Sequence, residues 1–455
     1  MNATPLQMTL STTTLRLLTL VGWLAWSMTA VAQDDASKPA EEKEKENTFT
    51  VDLDFLTRGE LRYGGLTDNK QKIDKPSSFL LERTRVVLGY ERKYIQANVT
   101  IQHAGIWGQE GRGAFNLNEA WVKLTSKQGL FAQVGRQAFA YDDERIIGPN
   151  DWAVASLSHD AVKVGYEGYW HKAHAIFSYN QNSMADELGG TYYKDGAMPY
   201  KMMQTVWYHY DVPVFPLGAS LLFMNIGMQA GAKDTDTERT EWQQLVGAYV
   251  RFAPEKWSLE GSYYRQMGHD EHGLKINAWM ASALATLSPK PTYGFMAGYD
   301  YLSGDPFFFV PATGNLGLVR QTEIQGFNPV YGSHHKFYGA MDFFYMSAYY
   351  GGFTPGLQNA FAGGHVSPVK GLDVSATYHF MATATKLKDM SKVLGHQVEV
   401  EVSYSFLKFC TLAAGYTYMH GSEAMERLRR STEKRHLHWG WLKLSVSPRV
   451  FYVKW

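Results

Sequence analysis

The chain has 455 residues, balances 44 Lys+Arg against 44 Asp+Glu, and draws 14% of its residues from Phe, Trp and Tyr. Zero net charge argues against a nucleic-acid partner, which needs a basic face, and a mean hydropathy of −0.30 is too polar for a bundle of membrane helices. The lone Cys410 excludes an intramolecular disulfide framework and a cysteine-built zinc cluster.

Arg16 is the only charge before Asp34, and the apolar run from Leu17 to Ala25 leads into Ala30-Val31-Ala32. This is the layout of a secretory signal peptide and predicts removal of residues 1–32 before Gln33. The run is far shorter than the ~20 residues a membrane helix needs. Residues 33–48 are crowded with Glu, Asp and Lys and lack aromatics, so they read as a disordered periplasmic arm.

From residue 49 to residue 455 the dominant signal is alternation. Phe49, Val51, Leu53, Phe55 and Leu61 interleave with Asp52, Asp54, Arg58, Glu60 and Arg62. Ile95 to Gln102, Leu372 to Phe380 and Val398 to Phe406 repeat the pattern. Successive strand side chains point to opposite faces, so each such strand has one apolar and one polar face. Short turns are expected near Glu91–Tyr94, Ser126–Gly129, Gly168–Lys172, Asp211–Gly218, Ala253–Lys256, Ser288–Pro291, Pro368–Gly371 and Leu407–Cys410. Longer polar or Gly-rich stretches fall between them, the longest from Ser303 to Gly356. Eight turns alternating with nine loops give 18 strands with both chain ends on the short-turn side. An extra strand pair within Lys336–Tyr350 would make 20. Even strand number, short periplasmic turns and long extracellular loops define an all-β, antiparallel transmembrane barrel of the outer membrane. Tyr166, Tyr169, Trp170, Trp257, Trp439 and Trp441 sit near strand ends, where ring edges meet lipid headgroups.

Three motifs then resemble one family. Gly135-Arg136-Gln137, Tyr141-Asp142-Asp143-Glu144-Arg145, Trp152 and His159-Asp160-Ala161 are similar to alginate-export outer-membrane channels. So are Tyr299-Asp300-Tyr301-Leu302-Ser303-Gly304-Asp305 and Gly332-Ser333-His334-His335-Lys336-Phe337-Tyr338-Gly339. The resemblance covers the chain from about Phe49 onward and implies an 18-stranded barrel with a polar pore. Leu157 stands where members of that family often carry Arg.

Strand parity and the motifs together nominate solute-contacting residues: Arg58, Arg62, Arg83, Arg85, Lys123, Arg136, Asp142, Asp143, Arg145, Asp160, Lys163, Glu167, Asp300 and Asp305. The wall mixes acids and bases, whereas anion pores carry rings of Arg and Lys. The parity of Leu130–Ala138, which carries Arg136, stays open because neither face is clean. Ser303 to Gly356 is far longer than ordinary loops, and its aromatics predict inward folding, with His334, His335 and Lys336 at a constriction.

No catalytic set emerges. There is no G-x-S-x-G elbow, Ser158-His159-Asp160 is contiguous and so splits between strand faces, and Ser367-Pro368-Val369-Lys370 sits at a turn. His334-His335 lacks a nearby third ligand, so neither a metal nor another cofactor is expected. The expected partners are outer-membrane lipid and a polar solute or saccharide, with no periplasmic partner identified. The reading is therefore a channel, not an enzyme, for diffusion of polar solutes, alginate-export-like, with the solute unassigned and an acidic oligo- or polysaccharide as one candidate. A general or nutrient-uptake porin, and a structural or adhesive barrel with a closed lumen, are the alternatives.

Overall fold

The computed structural model describes residues 47–63, 76–180, 192–193, 196, 198–233, 235–305, 323–342, 344, 354–386, 389–428 and 436–455. The expected signal peptide, the arm up to residue 46 and Phe307-Phe308-Phe309 lie outside the described residues. Thr48–Val453 forms one compact unit. Outside that unit, Asn47 and Trp455 exchange two backbone hydrogen bonds of 3.0 Å.

The strands follow the alternation. They are β1 (Thr48–Tyr63), β2 (Ser77–Arg92), β3 (Ile95–Ile106), β4 (Ala114–Thr125), β5 (Leu130–Gln137) and β6 (His159–Glu167). Next come β7 (His171–Tyr179), β8 (Met202–Asp211), β9 (Leu217–Ala230), β10 (Arg239–Phe252), β11 (Trp257–His269) and β12 (Lys275–Lys290). The last are β13 (Tyr293–Leu302), β14 (Leu357–Val369), β15 (Leu372–Ala382), β16 (Val393–Leu407), β17 (Cys410–Gly421) and β18, which runs His436–Val446 and resumes at Arg449–Lys454. Each strand pairs antiparallel with its neighbours in chain order, and β1 pairs with β18, so the sheet closes on 18 strands. Closure removes every sheet edge, as a membrane-spanning sheet requires. Glu323–Ile324 adds only a two-residue parallel strand against Lys275 and Ile276. The described residues of Lys336–Tyr350 form no strand, so the count of 20 does not arise.

All eight expected short turns connect strands at one end and the nine longer stretches lie at the other. Parity holds. Val122, Val134, Val162 and Phe177 form one cross-strand row on the outside and are exposed. Arg58, Glu60, Arg83, Arg85, Thr100 and Gln102 point inward and are buried. The β5 parity also resolves: Phe131, Gln133 and Gln137 face inward, while Leu130, Val134 and Arg136 face outward. Gly135 between them has φ +124°, and a Cβ there would lie 2.1 Å from the Ala120 carbonyl oxygen, so only glycine fits.

One expectation needs correcting. The lumen is not polar throughout, because β8 to β13 carry Met203, Trp207, Leu222, Met224, Ile226, Leu245, Tyr264, Met280 and Leu302 on their inner face. Their sequences alternate poorly for that reason: both faces of these strands are covered, one by the surroundings and one by protein.

Candidate functional site

Two segments from the long-loop end cover that inner face. The first, residues 138–158, follows β5; the second, residues 323–344, lies between β13 and β14. They meet at a parallel bridge between Ile147 and Tyr331. Phe139, Tyr141, Ile146 and Ile147 of the first pack with Phe327, Tyr331, Tyr338, Met341 and Phe344 of the second and with the apolar inner wall. The inward folding expected of the long loop is thus present in its described residues.

The family-like motifs converge on one buried cluster. Arg145 contacts Asp143 and Asp300 at 3.0 Å each, and its guanidinium lies 4.0 Å from the Phe337 ring centre. Its side chain and that of Asp300 are 3% and 2% exposed. Burial alone would lower the Arg145 pKa, but Asp300 and Asp143 hold it above the ordinary arginine value. Glu144 binds Ser333 and Lys336 of the second segment. A Cβ at Gly332 would lie 2.2 Å from the Arg145 carbonyl oxygen, so this position too needs glycine. Asp305 accepts backbone N–H groups from Gln325, Gly326 and Thr354, pinning the ends of the second segment together. Asp142 accepts the Trp207 indole N–H at 3.0 Å, and burial pushes its carboxyl pKa up. These residues hold protein to protein. Arg145 and Asp300 in particular are too buried to meet a solute.

The wall arginines anchor the first segment. Arg83 and Arg85 bind Asp151 at 3.0 and 2.8 Å, and Arg85 also donates to Ser156. Arg58 donates to the Trp152 carbonyl and lies 4.0 Å from the Trp152 ring centre. Arg62 pairs with Glu60. Trp152 also stacks on His335 at 4.1 Å, and His335 meets Asp342 at 2.9 Å. Lys336 remains half exposed, while His334 is packed in and burial lowers its pKa. The triplet therefore lies where the two segments and the wall meet. Nothing in the sequence marks Asp151, since a lone loop acid carries no pattern that points across the barrel.

Arg136 and Asp160 correct the sequence reading. They form a two-pronged pair with both contacts at 2.8 Å, but on the outer face shared by Val134 and Val162, not in the lumen. The tripeptide's neighbour explains the ambiguity: Gly135 contributes no side chain to mark a face.

Toward the short turns the inner wall carries three lysines. Lys123 pairs with Glu167 at 3.1 Å and lies 4.4 Å from the Phe131 ring centre. Lys163 lies 5.8 and 5.7 Å from the rings of Phe131 and Phe139. Lys443 lies 5.1 and 5.4 Å from Trp152 and Trp441. Trp439 and Trp441 are buried on the inner face against Trp152, so neither meets the lipid headgroups expected from its place near a strand end. Among the described residues, Lys163 and Lys443 make these cation–π contacts but no ion pair. No group of three or more His, Cys, Asp or Glu there could hold a metal.

A closed 18-strand barrel with an apolar outside and a charged, segment-lined inside is an outer-membrane channel. Residues 105–391 match the family model described as alginate export, well over half the chain, and the protein belongs to that family. Solved structures show the same fold. OccK5 (OpdH) of Pseudomonas aeruginosa is 11% identical with a TM-score of 0.56, covering 89% of this chain and 99% of its own. OpdQ of the same organism is 13% identical with a TM-score of 0.57, covering 89% and 98%. OccAB4 of Acinetobacter baumannii is 10% identical with a TM-score of 0.54, covering 90% and 100%. A comparison with curated proteins gave no match.

Proposed function

We propose that the channel passes an acidic oligo- or polysaccharide. The observation that carries this is the pair of lumen lysines, Lys163 and Lys443, each beside aromatic rings and, among the described residues, in no ion pair, although acids stand in their surroundings. An ammonium free to meet a uronate carboxylate, next to a flat apolar surface for the sugar ring, suits that solute class. The wall arginines do not contribute in the same way, because Asp151 and Glu60 already occupy them. The test is a planar bilayer recording with oligosaccharides of matched length on the short-turn side. Acidic oligomers should block the current more strongly than neutral ones, and Lys163→Gln with Lys443→Gln should remove the difference. Equal block by both in the unaltered protein refutes the reading.

The apolar packing between the two segments and the inner wall favours a second reading, a barrel closed in this conformation. Absence of conductance steps from assembled protein would establish it. The same proposal has residues 1–32 deliver the chain across the inner membrane and places the short turns in the periplasm. Mass-spectrometric detection of intact residues 1–32 on outer-membrane protein would contradict the delivery step.

A further inference from the structure

Four of the 15 histidines converge on the outer wall, where the channel function does not use them. His396 on β16, His420 on β17 and His436 on β18 are direct cross-strand partners and form one row. The row beneath runs Tyr378, Val398, Tyr418, His438 and Tyr63 across β15, β16, β17, β18 and β1. Side-chain faces are unambiguous. His396 shares its face with Val398 and Val400, His420 with Leu412 and Tyr416, and His436 with Leu442, all exposed outward, while Gln397, Met419 and Leu437 between them are buried inward.

The row lies at the edge of the apolar band. From His396 outward-facing positions continue as Val398, Val400, Val402, Tyr404 and Phe406. Ten residues at ~3.4 Å, tilted by ~40°, span roughly 25 Å, the height of the lipid-facing band of such barrels. With Phe406 at the short-turn edge, the histidines stand at the headgroups of the opposite leaflet.

Their chemistry is set by tyrosines. The Tyr378, Tyr416 and Tyr418 hydroxyls lie 2.6, 2.7 and 2.5 Å from Nδ1 of His396, His438 and His436. A phenol is the stronger donor, so Nδ1 accepts and Nε2 carries the proton. The His420 ring lies 4.8 Å from that of His436. Among the described residues no carboxylate pairs with any of the four. The result is a line of N–H donors at headgroup depth, with tyrosines fixing the rings and, among the described residues, no carboxylate paired with them. Elsewhere on the outer wall Arg136–Asp160 and Arg265–Asn277 are satisfied within their own pairs, and His171 has a like partner in Tyr208 but stands as a single ring at the short-turn edge.

We propose that this Tyr–His row binds the phosphorylated headgroup of a lipid in the outer leaflet. Imidazole N–H groups at the spacing of neighbouring strands, ~5 Å, suit the several acceptor oxygens of a phosphate. The test uses the full mature protein in phosphatidylcholine nanodiscs doped with bisphosphorylated lipid A, followed by detergent extraction and native mass spectrometry. The unaltered protein should retain lipid A through extraction. His396→Leu with His420→Leu and His436→Leu, apolar changes suited to a lipid-facing wall, should retain about tenfold less. Tyr378→Phe with Tyr418→Phe keeps the rings and should fall between the two. Heat-modifiable migration and single-channel conductance, unchanged in all variants, separate headgroup loss from misfolding. Equal retention of dephosphorylated lipid A, or unaltered retention in the triple variant, overturns the proposal in favour of a plain aromatic girdle. Displacement of bound lipid A by inorganic phosphate alone overturns the lipid assignment.

Discussion

The ion cluster around Arg145 makes the most demanding prediction. Asp300→Asn removes one of two carboxylates that face a guanidinium with almost no access to water. Breaking a buried pair from one side costs ~3–5 kcal/mol because the remaining charge stays desolvated. Asp143 keeps its 3.0 Å contact with Arg145, so the lower end, ~3 kcal/mol, applies. At ~1.4 kcal/mol per tenfold, the population in which residues 143–145 and 332–338 loosen should rise roughly 100-fold. The barrel should change little, since its 18 backbone ladders are untouched and the wall bond from Asn359 can be accepted by the new amide oxygen. Single-channel recordings should therefore show a larger open fraction, while unfolding in lipid vesicles shows an unchanged main transition. Arg145→Asp combined with Asp300→Arg should recover part of the loss, which measures the pair itself. Wild-type gating in a correctly assembled Asp300→Asn protein would show that the cluster does not hold the constriction.

Other tests follow from single positions. Val400→Arg places a charge on the outward face and should cost ~2–4 kcal/mol near the bilayer midplane, whereas Glu401→Arg on the inner face should be far milder in vesicle unfolding. Gly332→Val should collide with the Arg145 carbonyl and raise the open fraction, without adding fully to Asp300→Asn because both act on one contact. His334 gives a pH dependence. Burial holds its pKa below the ordinary ~6.5, so the neutral ring stabilises the packed segment above that pH and the stability is lost as pH falls through the lowered value. Acidification from about pH 7 to about pH 5 should raise the open fraction, and His334→Gln should weaken that response.

The strand order and closure were readable from sequence because each outer face must be apolar whatever lies inside. The eight turns and nine loops landed where punctuation predicted, and Val398 to Phe406 shows the parity in its simplest form. The site was less readable. Arg83 and Arg85 lie on the inner face that strand parity predicts, but their occupation by Asp151 depends on contacts 68 and 66 residues away along the chain. Arg136, on a strand of open parity, and Asp160 are nominated as solute contacts, yet a mutually satisfied pair can face outward as readily as inward. The motifs around Asp142–Arg145, Asp300 and Gly332 marked a real convergence, although its product is a scaffold between segments. Sequence similarity reports that a residue matters; only geometry reports what it touches.

The apolar half of the lumen then limits how the channel can open. If residues 138–158 and 323–344 left the barrel entirely, Met203, Leu222, Met224, Ile226, Leu245 and Met280 would face water. Re-exposure costs about 25 cal/mol per Å², and six large side chains together make that roughly 10 kcal/mol or more. That exceeds what loosening the Arg145 cluster can supply. The opposite side is held differently, by the buried Arg58, Arg83 and Arg85 on Trp152 and the half-exposed Asp151, and withdrawing that segment returns both partners of each ion pair to water instead of leaving one charge desolvated. Opening should therefore be a hinge of the polar tips away from the β1–β3 wall, with the apolar remainder docked on β8–β13. The path so exposed runs past Lys443, which puts the proposed saccharide contact on the moving side of the pore.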